Sequence, residues 1–388
     1  MPTFLHTADW QIGRQFSTFD PEDAHPLADA RVQAVQRLAE LAVTHQVDAV
    51  LVAGDVFDMQ AVSERTIRRL FAAMAPFSGP WVLISGNHDA ALADSVWTQA
   101  QRLGVVPPHV HLALRPEPLL LPEAGLAVLP APLTQRHTYE DTTAWFDATE
   151  TPAGLLRIGL AHGSVQGILA EGIDATNPIA PERVVRAHLD YLALGDWHGC
   201  KRIDARTWYS GTPEPDRFKA NEAGHALLVR IAAPGAEPEV TVLDTAQFNW
   251  QLWQRALQVP SDLDALLADL ASLPSHTVLS LSVQGELALA DHQRLQEALG
   301  QARARLRHLQ AELGELRLQP TDDDIASLRA DGYLADLLAE LRAEQAGQGE
   351  EADTAREALA LLTTALRQRN PVAAAHPSVL SAQEGAPQ

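Results

Sequence analysis

The chain has 388 residues, 46% of them hydrophobic and 20% charged, with 29 basic residues against 50 acidic ones and a formal charge of −21. That composition suits a soluble globular chain of two or three domains, and it excludes a protein that would hold nucleic acid by its phosphates through excess positive charge alone. The only cysteine, Cys200, excludes disulfides within the chain and a thiolate metal cage, so any metal would sit on oxygen and nitrogen.

The first strand, "TFLHTA", runs into "DWQIG", where Asp9 and Gln11 stand two residues apart. Side chains at that spacing leave a strand end on the same side. A helix follows, with apolar residues at Val32, Val35, Leu38, Ala39 and Ala42. Next come the strand "VDAVLVAGD", a helix from about Ser63 to Met74, and the strand "PWVLISGNHD". This alternation predicts a layered α/β domain. The strands "GLAVLPA", "LLRIGLAHG" and "LDYLALGDWHG" continue it, and "GHALLVRIA" with "EVTVLDT" forms a closing hairpin near residue 250. No stretch approaches the ~18 apolar residues of a membrane helix, and no basic leader with an apolar core precedes the first strand. The chain therefore reads as cytoplasmic, without membrane contact.

Five of the strands stop at metal-type residues: Asp9 and Gln11; Gly54-Asp55; Gly86-Asn87-His88-Asp89; His162-Gly163; and Gly195-Asp196 with His198. Singly, a Gly-Asp after a strand is usually a turn and a lone histidine a loop residue. Five in chain order point to one place, because ligands gather outside the carboxyl ends of strands in α/β sheets.

The spaced set D-x-Q, GDxFD, GNHD, AHG and GDxH resembles the calcineurin-like metallophosphoesterases. "HTADWQIG", "LVAGDVFD" and "ISGNHD" narrow the match to the DNA-repair exonuclease branch, the SbcD- and YhaO-like nuclease subunits, over roughly residues 1 to 230. The resemblance implies a four-layer α/β/β/α sandwich holding two divalent metal ions, which activate water for attack on a phosphodiester. Residue by residue, it assigns one metal to Asp9, Gln11, Asp55 and His198. It assigns the other to Asp55, Asn87, His162 and Asp196, with the Asp55 carboxylate bridging. It makes His88 the acid that assists the leaving group. Asp89 would orient that imidazole or cap a helix.

The chain departs from the family pattern at two ligand positions. Gln11 stands where the family most often has His, and Asp196 where a GHxH motif has its first His. Both replacements keep an oxygen, which favours manganese, with magnesium second. Gln11 is then a weak ligand, direct or through water, or a residue that holds a metal-bound water. In "YSGTPEPDRFKANEAG", Arg217 and Lys219 are candidates for phosphate-backbone contacts, against the alternative of a solvated loop. Cys200 reads as a packing residue and Asp58 as support or a cap. Trp10 and Trp197 read as packing behind the site or as stacking surfaces for an unpaired base.

The rest divides into a small α+β unit at 251–320, helices over 321–370 and a disordered tail at 371–388. The small unit takes "WQLWQRALQVP", a helix near Leu263 to Leu273, "HTVLSLSVQG", a helix from about Asp291 to Leu309, and "GELRLQP". By resemblance it is a capping domain that restricts which DNA ends reach the metals. In the helices, Leu334, Leu337, Leu338 and Leu341 line one face, and Leu359, Leu362 and Leu366 another, suiting a partner's groove. The chain carries no phosphate-binding glycine loop of its own, so the resemblance implies a separate SbcC-like coiled-coil ATPase, with DNA as substrate and a homodimer as the assembly. The alternative function is a phosphatase or phosphodiesterase of small molecules or phosphoproteins.

Overall fold

The computed structural model describes residues 1–168, 176–219, 221–318, 333–345, 347 and 349–369. They fall into two units, Met1–Trp250 and Gln251–Gln388.

In the first unit, β1 (Thr3–Thr7) leads into α1 (Pro21–Thr44), β2 (Ala49–Val52), α2 (Glu64–Ala73), β3 (Trp81–Leu83), α3 (Val96–Arg102) and β4 (Val110–Leu112). Then come β5 (Leu119–Leu121), β6 (Leu126–Ala131), β7 (Leu156–His162), β8 (Ser164–Val165), β9 (Pro178–Ile179), α4 (Arg183–Arg186), β10 (Tyr191–Gly195), β11 (Lys201–Arg202), β12 (Thr207–Tyr209), β13 (His225–Arg230) and β14 (Glu239–Asp244). Two six-stranded sheets result, ordered β14-β13-β1-β2-β3-β4 and β11-β12-β10-β7-β6-β5, with β8 and β9 as a separate pair.

Residue alternation explains how they stack. In β2, Val50 and Val52 face the helices with Val35, Leu38 and Ile67. Ala49 and Leu51 face the opposite way, into a core shared with Val128, Ile158, Leu160 and Ala193 of the second sheet. Both faces of β2 are thus buried, as its uninterrupted apolar run requires. The outer face of the second sheet, through Leu129, Ala161 and Leu194, is covered by Phe146, Val184 and Ala187. The layers are helix, sheet, sheet and a thinner helical layer, the four-layer α/β/β/α sandwich. Each fully buried Leu, Val or Phe contributes roughly 1.5–3 kcal/mol relative to exposure. Ser63 accepts a hydrogen bond from the Thr66 N–H and starts α2, while Ser95 does the same for α3 through Thr98.

The second unit contains β15 (Asn249–Leu257), α5 (Pro260–Ser272), β16 (Thr277–Leu287), α6 (Leu289–Arg305), β17 (His308–Leu318), α7 (Tyr333–Gln345) and α8 (Glu350–Arg369). A three-stranded sheet, β15-β16-β17, carries α5 and α6 on a leucine core. The helix expected to reach Leu309 ends at Arg305, and the strand expected from Gly314 begins at His308. The reason is Leu309, which pairs with Leu279 and enters that core, so tertiary burial overrides a locally helical pattern.

The two leucine faces assigned to the C-terminal helices pack on each other: Leu338 and Leu359 are buried together, with Leu341 and Leu362 beside them. Residues 321–332, the side chain of Leu366 and the tail 371–388 lie outside what the structure describes. Among the described residues no helix is long and apolar enough to cross a membrane.

Candidate metal centre

Parallel pairing of β1, β2 and β3 in one sheet and of β7 and β10 in the other brings their carboxyl ends side by side. The loops that follow are locked to one another. The Asp9 N–H donates to Gly54 O and the Gln11 N–H to Asp55 O, both at 3.0 Å. The Asp196 N–H donates to the Asp9 carboxylate at 3.2 Å. Four of these residues hold left-handed backbone: Asp9 at φ 54°, Gln11 at 51°, Asp55 at 50° and Asp196 at 99°.

One ligand atom each from Asp9, Asp55 and His162 fall within 4.8 Å of one another, and all three residues are buried. His162 Nδ1 is 2.8 Å from Ala53 O, which suits a donated N–H and leaves Nε2 to face the cluster. Around that Nε2 stand Asn87 Oδ1 at 3.3 Å and one oxygen each of Asp55 and Asp196 at 3.7 Å. Asp55, Asn87, His162 and Asp196, grouped by resemblance on one metal, therefore converge on a single point. On the other side, the Gln11 amide donates to Asp55 Oδ2 at 2.8 Å, while its Oε1 is buried and has no hydrogen-bond donor. A buried acceptor without a donor beside three carboxylates suits a cation, or a water held beneath one.

The electrostatics match that fit. Burial, with the Asp55 and Asp196 charges, pushes the Asp9 carboxyl up to about 6, though His198 and His162 oppose the rise. Burial also raises Asp196. Burial alone would lower His162, but Asp55, Asp9 and Asp196 outweigh it and raise the imidazole to about 9. Carboxylates in excess of nearby cations raise each other, and a divalent ion offsets that repulsion. The donor set is oxygen with imidazole and no thiolate, suited to a hard or borderline cation.

His88 stands at the rim, half-buried, with Nε2 4.0 Å from Asp55 Oδ2. Its Nδ1 is 2.8 Å from the Asp58 carbonyl, so that carbonyl orients the ring. The expected orienting role of Asp89 is corrected. Its carboxylate accepts from the Gly86 N–H at 2.6 Å and the Phe57 N–H at 3.1 Å, and it caps no helix. Those bonds fasten the loop after β3 to the loop after β2. Burial, reinforced by Asp55, pushes the Asp89 carboxyl up to about 7.

Several residues that hold the centre escaped the sequence reading. Asp216 lies with Oδ2 3.2 Å from His198 Nδ1, leaving Nε2 as the available ligand atom of that imidazole. Burial alone would raise Asp216, but its bonds to His198 and Arg217 hold it far below the usual carboxylate range. Arg31 is fully buried inside the apolar stripe of α1 and donates to the carbonyls of Asp9, Trp10 and Glu214. A charge within an apolar helix stripe was the available signal for Arg31. Nothing in the spacing of "GTPEPD" marked Asp216.

Arg217, a candidate for phosphate contact, makes two 2.9 Å bonds to Asp216. Lys219 stands over the Trp197 ring at 4.6 Å. Trp10 is a packing residue, buried against Trp81 and bonded to Thr7 Oγ1. Cys200 is half-buried, and burial pushes its thiol up to about 11, as a packing residue rather than a nucleophile. The Asp58 carboxylate accepts from Arg14 at 3.2 Å.

With this geometry in place, comparison with known proteins is informative. Residues 2–198 match the calcineurin-like phosphoesterase family. The chain is 32% identical over 286 residues to the SbcD chain of the SbcCD nuclease of Rhodobacter capsulatus, covering 60% of this chain and 67% of that protein. It is 38% identical over 265 residues to the SbcD chain of the SbcCD nuclease of Escherichia coli K12, covering 58% and 64%. It is 26% identical over 242 residues to the uncharacterized metallophosphoesterase YhaO of Bacillus subtilis, covering 58% and 57%. The chain thus spans about two thirds or less of the length of these relatives.

Proposed function

Because the chain belongs to the calcineurin-like phosphoesterases, we propose that it is a metal-dependent phosphodiesterase acting on DNA in repair, a nuclease subunit that works with an SbcC-like coiled-coil ATPase. The observation that carries the reading is the convergence of Asp9, Asp55 and His162 from three strand ends, beside the donorless Oε1 of Gln11. Two divalent ions, manganese before magnesium, would be held by Asp9, Gln11, Asp55 and His198 and by Asp55, Asn87, His162 and Asp196. Bound there, they supply charge neutralisation for the scissile phosphate and activation of water.

The protein's own groups do the rest. Asp55 is shared between the two ligand sets and keeps their spacing. Asp216 fixes the ring of His198, and the Ala53 carbonyl fixes that of His162. His88, oriented through Nδ1 by the Asp58 carbonyl, presents Nε2 to the reaction side and delivers its proton to the departing alkoxide. The relatives are named as one chain of a two-part nuclease, SbcCD, and those names support both the DNA substrate and the ATPase partner.

The test is purified protein with manganese, assayed in parallel on single-stranded DNA, duplex ends and a chromogenic phosphomonoester. Cleavage of DNA well above the monoester supports the nuclease. The reverse order establishes a phosphatase and removes this reading.

A further inference from the structure

The 388 residues contain two lysines among 29 basic side chains. Both stand over one ring: Lys219 Nζ is 4.6 Å from the centroid of Trp197 and Lys201 Nζ is 5.4 Å from it. Trp197 lies between Asp196 and His198, two of the residues assigned to the metals. The placement is set by backbone. Lys201 pairs with Tyr209 in β11–β12, the Cys200 N–H donates to Glu222 O at 3.0 Å, and the Thr212 N–H donates to His198 O at 3.0 Å. The strand-end loop and the 210–224 segment are therefore laced together, each carrying one lysine to the same indole.

Neighbouring cations are differently engaged. Arg14 is tied to Asp58 and Asp216, and Arg217 to Asp216. Among the described residues, neither lysine has a carboxylate within 4.0 Å. An ammonium over an indole face keeps its full charge and its N–H donors, since the ring contributes a quadrupole and no counter-charge. In a chain of charge −21, these are two uncompensated cations fixed at the edge of the metal centre.

We propose that Lys201 and Lys219, held over Trp197, form a phosphate-binding site for the strand flanking the scissile bond, so that the centre selects polymeric phosphodiesters over small ones. This rests on the nuclease reading above and names the residues that would give it substrate preference. Such a site contacts a phosphate beyond the reacting one, which a small diester lacks. Binding by phosphate contact depends on salt, with a slope of about 0.7 per contact on a single strand.

The experiment compares the wild-type chain with the Lys201→Gln/Lys219→Gln and Lys201→Arg/Lys219→Arg variants, all with manganese and checked for equal metal content. Substrates are bis-p-nitrophenyl phosphate and single-stranded oligonucleotides of increasing length, across a salt series. The Gln pair should raise the oligonucleotide KM about tenfold, with the loss falling on KM rather than kcat. It should also lower the slope of log KM against log salt by about 1.4, the sum of two contacts. The Arg pair should restore both. An unchanged KM and salt slope in the Gln pair overturns the inference while leaving the nuclease intact. A wild-type chain that hydrolyses the small diester and no oligonucleotide removes the nuclease reading, and this site with it.

Discussion

At the scale of single residues, the centre separates groups that hold it from the group that donates a proton. Asp55 belongs to both ligand sets, whereas His88 stands 4.0 Å from it with its ring fixed elsewhere. His88→Ala should therefore leave metal content almost intact and lower turnover by ~100-fold or more, while Asp55→Ala should lose both. Metal analysis beside kcat distinguishes them, and parallel loss in His88→Ala would make that residue a ligand. Gln11 and Asp196 set metal preference. Changing both to His supplies borderline nitrogen, so zinc affinity should rise in the double variant. If competition titrations show the same manganese-to-zinc ratio in all variants, neither side chain touches a metal.

His6 tests the inter-sheet core. Burial drives its imidazole down to about 3, against the opposing bond to the Leu194 carbonyl, and Tyr191 is the other partner. The folded chain thus keeps His6 neutral where the unfolded chain takes a proton below about 6.5. Stability from this group is complete above that pH and falls on acidification, by about 1.4 kcal/mol per unit. Between pH 7 and 5, urea unfolding of the wild type should lose about 2 kcal/mol more than His6→Gln. Equal losses would mean that His6 takes up a proton in the fold.

At the scale of elements, the strand ends depend on glycines where two loops nearly touch. A Cβ on Gly86 would collide with the carboxylate of Asp55, and Gly54 holds a φ of 89° beside the His162 ring. Gly86→Ala should therefore depress metal affinity before it depresses folding, with a weaker calorimetric binding isotherm at nearly unchanged far-UV dichroism. A proportional loss of structure would show that the loop, rather than the ligand, absorbs the clash.

These elements were readable because an apolar run ended by Gly-Asp or Gly-Asn-His is punctuated at the same point as the strand it predicts. The boundaries of α2 at Ser63 and Met74 followed from a capping serine and an amphipathic face. The two-residue strands β8, β9 and β11 carry too few side chains for any periodicity to register. Asp216 and the Asp58 carbonyl reach their histidines only through tertiary folding, so no spacing announced them. Asp89 was misread because a carboxylate beside a catalytic imidazole is a sound local guess, whereas in the fold the nearby backbone N–H groups capture it.

At the scale of the whole molecule, the ligands all lie within Met1–Trp250, and the second unit has a leucine core of its own. Scanning calorimetry should resolve two transitions, of which manganese raises only one, since a ligand stabilises the unit that binds it. A single transition that moves as a whole would mean the units unfold together.

The left-handed backbone at Asp9, Gln11, Asp55 and Asp196 bears on the same balance. Each such residue costs of order 1 kcal/mol, so the four together take a sizeable share of the roughly 5–15 kcal/mol by which a domain of this kind is stable. The residues that give this enzyme its chemistry are thus among those its fold would most readily give up. Laboratory selection for heat resistance alone, without a demand for catalysis, would erode the metal centre first, drifting those positions toward glycine and asparagine and yielding a sturdier, inert sandwich.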